Sequence, residues 1–195
     1  MKKKTIVYLD KAGPQECPAC LAAAAERAAE LGLKYAAVAT TSGRTALELA
    51  RALRKAGSRA RVVGVGYAAN YAAKWGKLEK KFTAPAAKLG AAFMAGTHVL
   101  GGVNAAVVDK FGGTTPGRLV AQTLYTMGQG MKVAVEVAMM AADAGLVPTD
   151  GEILALGGAG EGADTALVVT PRCSAEFFGL RVHEVVCLPR RTGKK

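Results

Sequence analysis

Residues 38–46 read Val-Ala-Thr-Thr-Ser-Gly-Arg-Thr-Ala. An apolar strand runs into hydroxyls, a glycine and an arginine, and a helix follows at once. This residue set makes an anion site without a metal. The first turn of a helix carries free backbone N–H groups and a partial positive charge. Gly43 lets a ligand approach the backbone closely. Thr40, Thr41, Ser42 and Thr45 supply O–H donors, and Arg44 supplies a planar fork for phosphate oxygens. The same residues also make an ordinary hydroxyl-capped helix start with a solvated Arg44, so the pattern alone leaves phosphate binding and capping both open.

Other residues carry chemistry of their own. Cys17-Pro18-Ala19-Cys20 opens a helix, where a thiol pKa falls, so the pair fits a redox couple. As half of a zinc site it is weak, because Cys173 and Cys187 are separated by thirteen residues and form no second C-x-x-C. The other reading is of incidental thiols at a capped helix start. His98 and His183 are the only histidines. His98 follows Gly96 at a strand end and is a candidate ligand contact or general acid. His183, beside Glu184 in a late strand, reads as structural. Glu136 and Asp143 share a helix face, and a carboxylate in the apolar run 133–140 must be paired or near solvent. Residues 64–69 fit G-x-G-x-x-A after a strand, but no acidic residue lies in 80–90 to hold a ribose, which argues against a dinucleotide loop.

These groups need elements to position them. Strands are expected at 5–9, 35–39, 61–65, 91–94, 152–156, 166–170 and 182–188, the last as an edge strand cut off by Pro189. Helices are expected at 17–31, closed by Gly32, at 45–55, ended by Gly57, and near 103–111 before the Gly112-Gly113 break. Thr115 as N-cap and Pro116 at the first helical position open the longest helix, to about Asp143, with Gly128-Gln129-Gly130 a point of loosening. Residues 67–89 read as a lid or an irregular loop with a short helix. The β-α-β-α-β start argues for an α/β fold, a three-layer, mostly parallel sheet. Ligands in such sheets sit beyond the carboxyl ends of strands, where Thr40 lies.

At 195 residues, half of them apolar, the chain suits one domain over 1–195 with a sizeable core. Much of that is alanine, with one Trp and five Phe, so closely packed small residues are expected. The net charge of +11 owes seven charges to Lys2, Lys3, Lys4, Arg190, Arg191, Lys194 and Lys195. A second basic group is Lys74, Lys77, Lys80, Lys81 and Lys88. No aromatic interleaving of a base-stacking platform accompanies them, so nucleic acid is not the expected partner. The longest apolar stretch, 133–147, is interrupted by Glu136 and Asp143 and is too short to span a membrane. The lysine run at the start lacks a signal-peptide core behind it, so a soluble cytoplasmic protein is expected. There is no internal repeat and no linker.

Residues 42–46, 111–116, 139–148 with 152–158, and 160–169 together resemble the pyruvate kinase alpha/beta-domain-like family, small proteins similar to the C-terminal domain of pyruvate kinase. The resemblance covers about residues 4–190, strong over 96–189 and weak over 66–89. It implies that fold. It also implies a binding protein for a phosphorylated small molecule, since the pyruvate kinase domain holds an effector phosphate on a Ser/Thr-Gly-Arg loop like Thr40, Thr41, Ser42, Gly43, Arg44 and Thr45. A second loop closes that site, and Gly157, Gly158, Gly162, Ala163, Asp164 and Thr165 stand in its place, with four glycines in 157–165 and Asp164 open to accepting from ligand hydroxyls or to capping the loop. Family members that hold flavin mononucleotide (FMN) make it the best named ligand, with His98, Gly112 and Gly113 as further contacts. The alternative is a flavin-dependent oxidoreductase using Cys17 and Cys20. The chain is too short to include the barrel that performs pyruvate kinase chemistry, so that activity is not expected. A homo-oligomer is expected from the relatives' fold and the exposed final strand.

Overall fold

The computed structural model describes residues 4–191, so Lys2, Lys3, Lys194 and Lys195 lie outside the described residues. In chain order the elements are β1 (Val7–Leu9), α1 (Cys17–Leu31), β2 (Tyr35–Ala39), α2 (Arg44–Lys55), β3 (Arg61–Tyr67), α3 (Ala69–Trp75) and α4 (Lys80–Lys88). There follow β4 (Ala92–Gly96), α5 (Val103–Phe111), α6 (Pro116–Tyr125), α7 (Gln129–Asp143), β5 (Ile153–Gly157), β6 (Thr165–Thr170) and β7 (Arg181–Pro189). The strands form one sheet in the order β1-β7-β6-β5-β2-β3-β4. Only β6 is antiparallel to its neighbours. This is the three-layer, mostly parallel α/β architecture that the βαβ succession predicts.

The central strands are apolar throughout because helices cover both faces. Ala36 and Val38 of β2, Leu154 and Leu156 of β5, and Ala166 and Val168 of β6 pack with α1 and α2. Their alternates Ala37, Ile153, Ala155, Leu167 and Val169 pack under α7. Ala24, Ala25 and Ala28 are buried on α1 and Ala46 and Ala50 on α2, so the small-residue core is real. Leu49 and Leu53, fully buried, each contribute about 1.5–3 kcal/mol. Arg27 of α1 forks onto Glu184 of β7 at 2.6 and 2.7 Å and ties the helix to the sheet.

Three expectations change. The helix opened by Thr115, whose side chain accepts from the Arg118 N–H, does not run to Asp143. Gly128 takes a non-helical conformation (φ 108°, ψ 160°) and splits it into α6 and α7, so a second helix N-terminus faces the carboxyl ends of the strands. Residues 67–89 are two short helices, α3 and α4, with Pro85 inside the second. The final strand is an edge only in part: β1 pairs with Cys187–Pro189 at the end of β7. Its first half, Arg181 to Glu184, is exposed or half-buried and has no strand on that side among the described residues, while Val186 and Cys187 are buried. Among the described residues no helix is long and apolar enough to cross a membrane.

Candidate functional site

The steps β2 to β3 to β4 build the sheet in one direction and β5 to β6 to β7 in the other. Beta-strands 2 and 5 therefore flank the point of reversal, where open α/β sheets leave a crevice at the carboxyl ends of their strands. A cavity of about 650 Å³ opens there. Thr40, Thr41 and Thr45 line it from the end of β2 and the start of α2, and Gly158, Gly160, Glu161 and Gly162 from the glycine loop after β5. The opposite wall is one stripe of α7: Gln129, Lys132, Val133, Glu136, Val137 and Met140, recurring every three or four residues.

The loop after β2 is a turn held by its own hydroxyls. Thr40 Oγ1 accepts from the Gly43 N–H at 3.0 Å, and Ser42 Oγ accepts from the Arg44 N–H at 3.4 Å. Gly43 has φ 97°, and a Cβ there would lie 2.9 Å from the Thr83 methyl of α4. Its missing side chain thus serves packing against α4, not approach by a ligand. Arg44 donates to Glu161 Oε2 at 3.1 Å across the mouth, joining the two loops. Ser42 and Gly43 do not line the cavity, and Arg44 reaches only its rim, through Glu161.

Aromatic rings form a shelf in the same cavity. Tyr71 stacks on Trp75 (4.9 Å, 3°) and on His98 (5.3 Å, 20°), and Tyr67 tilts against both Trp75 and His98. Burial pushes the His98 imidazole below its usual range; Glu136 pulls it up and Lys132 pushes it down. Folded His98 then binds protons less readily than unfolded His98, so its share of stability is full above about pH 6.5 and is lost as the pH falls below that. We expect urea midpoints to decline from about pH 6.5 toward 5, and His98→Asn to flatten that decline. A slope unchanged in the variant would mean other groups set it. The carboxyls of Glu30 and Glu184, held down by Lys4 and Arg27, act in a separate window below 4.5.

Beneath the shelf, Lys132 and Glu136 form an ion pair, both buried. Glu136 Oε1 also accepts from the Leu100 N–H at 3.0 Å. Burial and the Glu136 charge push the nearby Tyr125 phenol up.

The family model for the pyruvate kinase alpha/beta domain matches residues 18–169. The chain belongs to that family. The match runs from α1 almost to the end of β6 and so includes every element around the cavity. In this pyruvate kinase alpha/beta domain the two loops expected to meet do meet, through Arg44 and Glu161. Thr40, Thr41, Thr45, His98, Gly158 and Gly162 line the cavity. Gly157 does not: a Cβ there would overlap the Gly130 carbonyl oxygen and lie 2.6 Å from the Ala134 nitrogen, so it lets α7 lie on β5. Ala163, Asp164 and Thr165 are buried behind the loop. Asp164 accepts from the Gly13 and Ala159 N–H groups, both at 3.0 Å, and from the Thr165 hydroxyl at 2.9 Å. It caps the loop. Gly112 and Gly113 sit exposed in the turn between α5 and α6, away from the cavity.

None of the four cysteines lines the cavity, although Cys17 packs behind Gly162. Cys17 and Cys20 are buried on α1, and Cys17 Sγ accepts from the Ala163 N–H at 3.3 Å. Cys20 faces Cys187 (3.3 Å between sulfurs) rather than Cys17. Burial pushes the Cys17 thiol up, opposite to the lowering expected of a helix start. Of the cavity's further residues, Tyr125 and Lys132 escape the sequence reading; Glu161 lies in the glycine loop that the sequence marks, and Tyr67, Tyr71 and Trp75 lie in the 67–89 segment expected as a lid or irregular loop. A signal for Lys132 existed, since it stands four before Glu136 in an apolar helix.

Proposed function

We propose that this protein binds a phosphorylated small molecule that carries a planar ring, with FMN the ligand that best fits both ends. One observation carries the reading: a single cavity joins hydroxyls at a helix start, Thr40, Thr41 and Thr45, to an aromatic shelf of Tyr67, Tyr71, Trp75 and His98. Its volume lies in the range of small-molecule sites. The hydroxyls, the first turn of α2 and Arg44 would take the phosphate. The shelf would stack on the ring, for which offset aromatic contacts are favourable. Bound flavin would supply hydride or electron transfer, while the protein orients it and sets its electrostatics.

Glu161 opposes this, because its carboxylate already holds Arg44. Both groups are largely exposed, so the pair is weak and a phosphate can displace the carboxylate. The test is an absorbance spectrum of freshly purified protein, followed by calorimetric titration of FMN and riboflavin. A yellow protein, or FMN binding at about micromolar with riboflavin at least about tenfold weaker, is expected. Glu161→Gln should then tighten FMN up to about fivefold at low salt. Equal affinity for both flavins would remove the phosphate contact, and no binding of either would overturn the flavin reading.

A further inference from the structure

Helix α7 is apolar along its buried length except at two positions one turn apart. Lys132 and Glu136 are 7% and 4% exposed, paired with one another, and both line the cavity. Stability does not explain them, since burying an ion pair carries a desolvation penalty that apolar residues of similar volume avoid. Buried charges facing a cleft are instead candidates for a site.

The chemistry they offer is specific. A carboxylate has about four acceptor directions. Glu136 uses one on Leu100 and one on Lys132. An ammonium has three donors. Lys132 gives one to Glu136 and stands 6.0 Å from the centre of the Tyr125 ring. The wall therefore presents a charged donor beside a charged acceptor, held by helix geometry, close to the aromatic shelf. That pattern complements the edge of a planar ring on which a carbonyl adjoins an N–H, a lactam or imide.

We infer that Lys132 and Glu136 form a head-group subsite for such a ring edge, Lys132 donating to the carbonyl and Glu136 accepting from the N–H. The inference rests on the proposal that the cavity takes a phosphorylated planar ring, and it narrows that ligand class: a sugar phosphate has no such edge. In FMN the imide of the flavin ring supplies it.

The experiment titrates FMN and its N3-methyl derivative, which lacks the imide N–H, into the full chain and into a Lys132→Leu/Glu136→Leu variant. The unaltered protein is expected to prefer FMN by about 10- to 100-fold, as for a hydrogen bond to a charged group. In the double variant the two ligands should bind alike, while the ratio of FMN to riboflavin affinity, which reads the phosphate end, stays as it was. Equal affinity of the unaltered protein for FMN and N3-methyl-FMN would overturn the subsite, and that comparison needs no variant to fold. A preference for FMN that survives in the double variant would overturn its assignment to this pair. Failure of the unaltered protein to bind FMN at all would overturn the flavin reading and the subsite together, an outcome distinct from the other two.

Discussion

Lys132→Met is expected to lower the stability of this domain by about 3–5 kcal/mol, while Lys132→Leu/Glu136→Leu leaves it equal or higher. The single change leaves the Glu136 carboxylate at 4% exposure without its charged partner, still accepting from the Leu100 N–H. An uncompensated buried charge is among the most costly defects a core can hold. The double change removes both charges, and leucines fill much of the same volume between α7 and the cavity. It leaves the Leu100 N–H without its acceptor, a smaller loss that nearby solvent in the cavity can relieve. Urea denaturation of the three proteins at neutral pH measures the difference. A single variant as stable as the parent would mean that water in the cavity solvates Glu136 well, and the pair could then be regarded as a wet surface feature. A double variant much weaker than the parent would mean that the ion pair itself, with its bond to the Leu100 N–H, stabilises the fold around α7.

The sequence made the frame of the fold legible where local chemistry was unambiguous. Helix α1 starts and ends where the C-x-x-C segment and Gly32 say, because Gly32 adopts the left-handed C-cap (φ 63°) that a glycine invites. Strand β2 matches residue for residue, since a five-residue apolar run between Lys34 and the hydroxyl cluster has no competing pattern. The break at Gly128 was harder. Residues on both sides have helical propensity and periodicity, and only the tertiary need to lay α7 on β5 decides that the chain turns there. The place of β7 was hidden for a different reason. Whether a half-polar strand is an edge depends on which strand pairs with it, and β1 is short and far away in sequence.

The site divides along the same line. The hydroxyl and glycine loops were visible because their residue types are unusual for plain packing. The aromatic shelf was not, because Tyr67, Tyr71 and Trp75 fall in a segment without periodicity, and two short helices fold it over the strand ends. Some flagged residues carry structural duties, for Asp164 the second of its two readings. Gly157 admits a backbone and Asp164 caps a loop, and nothing in a residue type separates those tasks from ligand contact. Only position relative to the cavity does.

Asp164 yields the second large effect. Asp164→Ala is expected to lower stability by about 3 kcal/mol and, on the proposed function, to weaken FMN binding as well. Asp164 is 1% exposed and its carboxylate gathers three donors: Gly13 before α1, far away in sequence, Ala159 in the same glycine loop, and its neighbour Thr165 at the start of β6. Alanine leaves all three without an acceptor. Each buried unsatisfied group costs about 1–3 kcal/mol, and the full sum is not reached because Ala159 is partly open to water. Both N–H groups share Oδ2, so Asp164→Asn can keep its amide oxygen there and turn its NH2 toward the Thr165 hydroxyl, losing only the charge, and its loss should fall between parent and alanine. The loop should suffer before the sheet. Amide exchange at Gly13 and Ala159 is expected to speed up more than exchange in β5, whose ladder to β2 does not depend on Asp164. Because Gly158, Glu161 and Gly162 then lose their fixed place at the mouth of the cavity, the FMN binding proposed above should weaken even at temperatures where the domain stays folded. A variant with parent-like exchange at Ala159 would show that the loop holds its shape by its glycine turns alone, and Asp164 would drop from the architecture of the site.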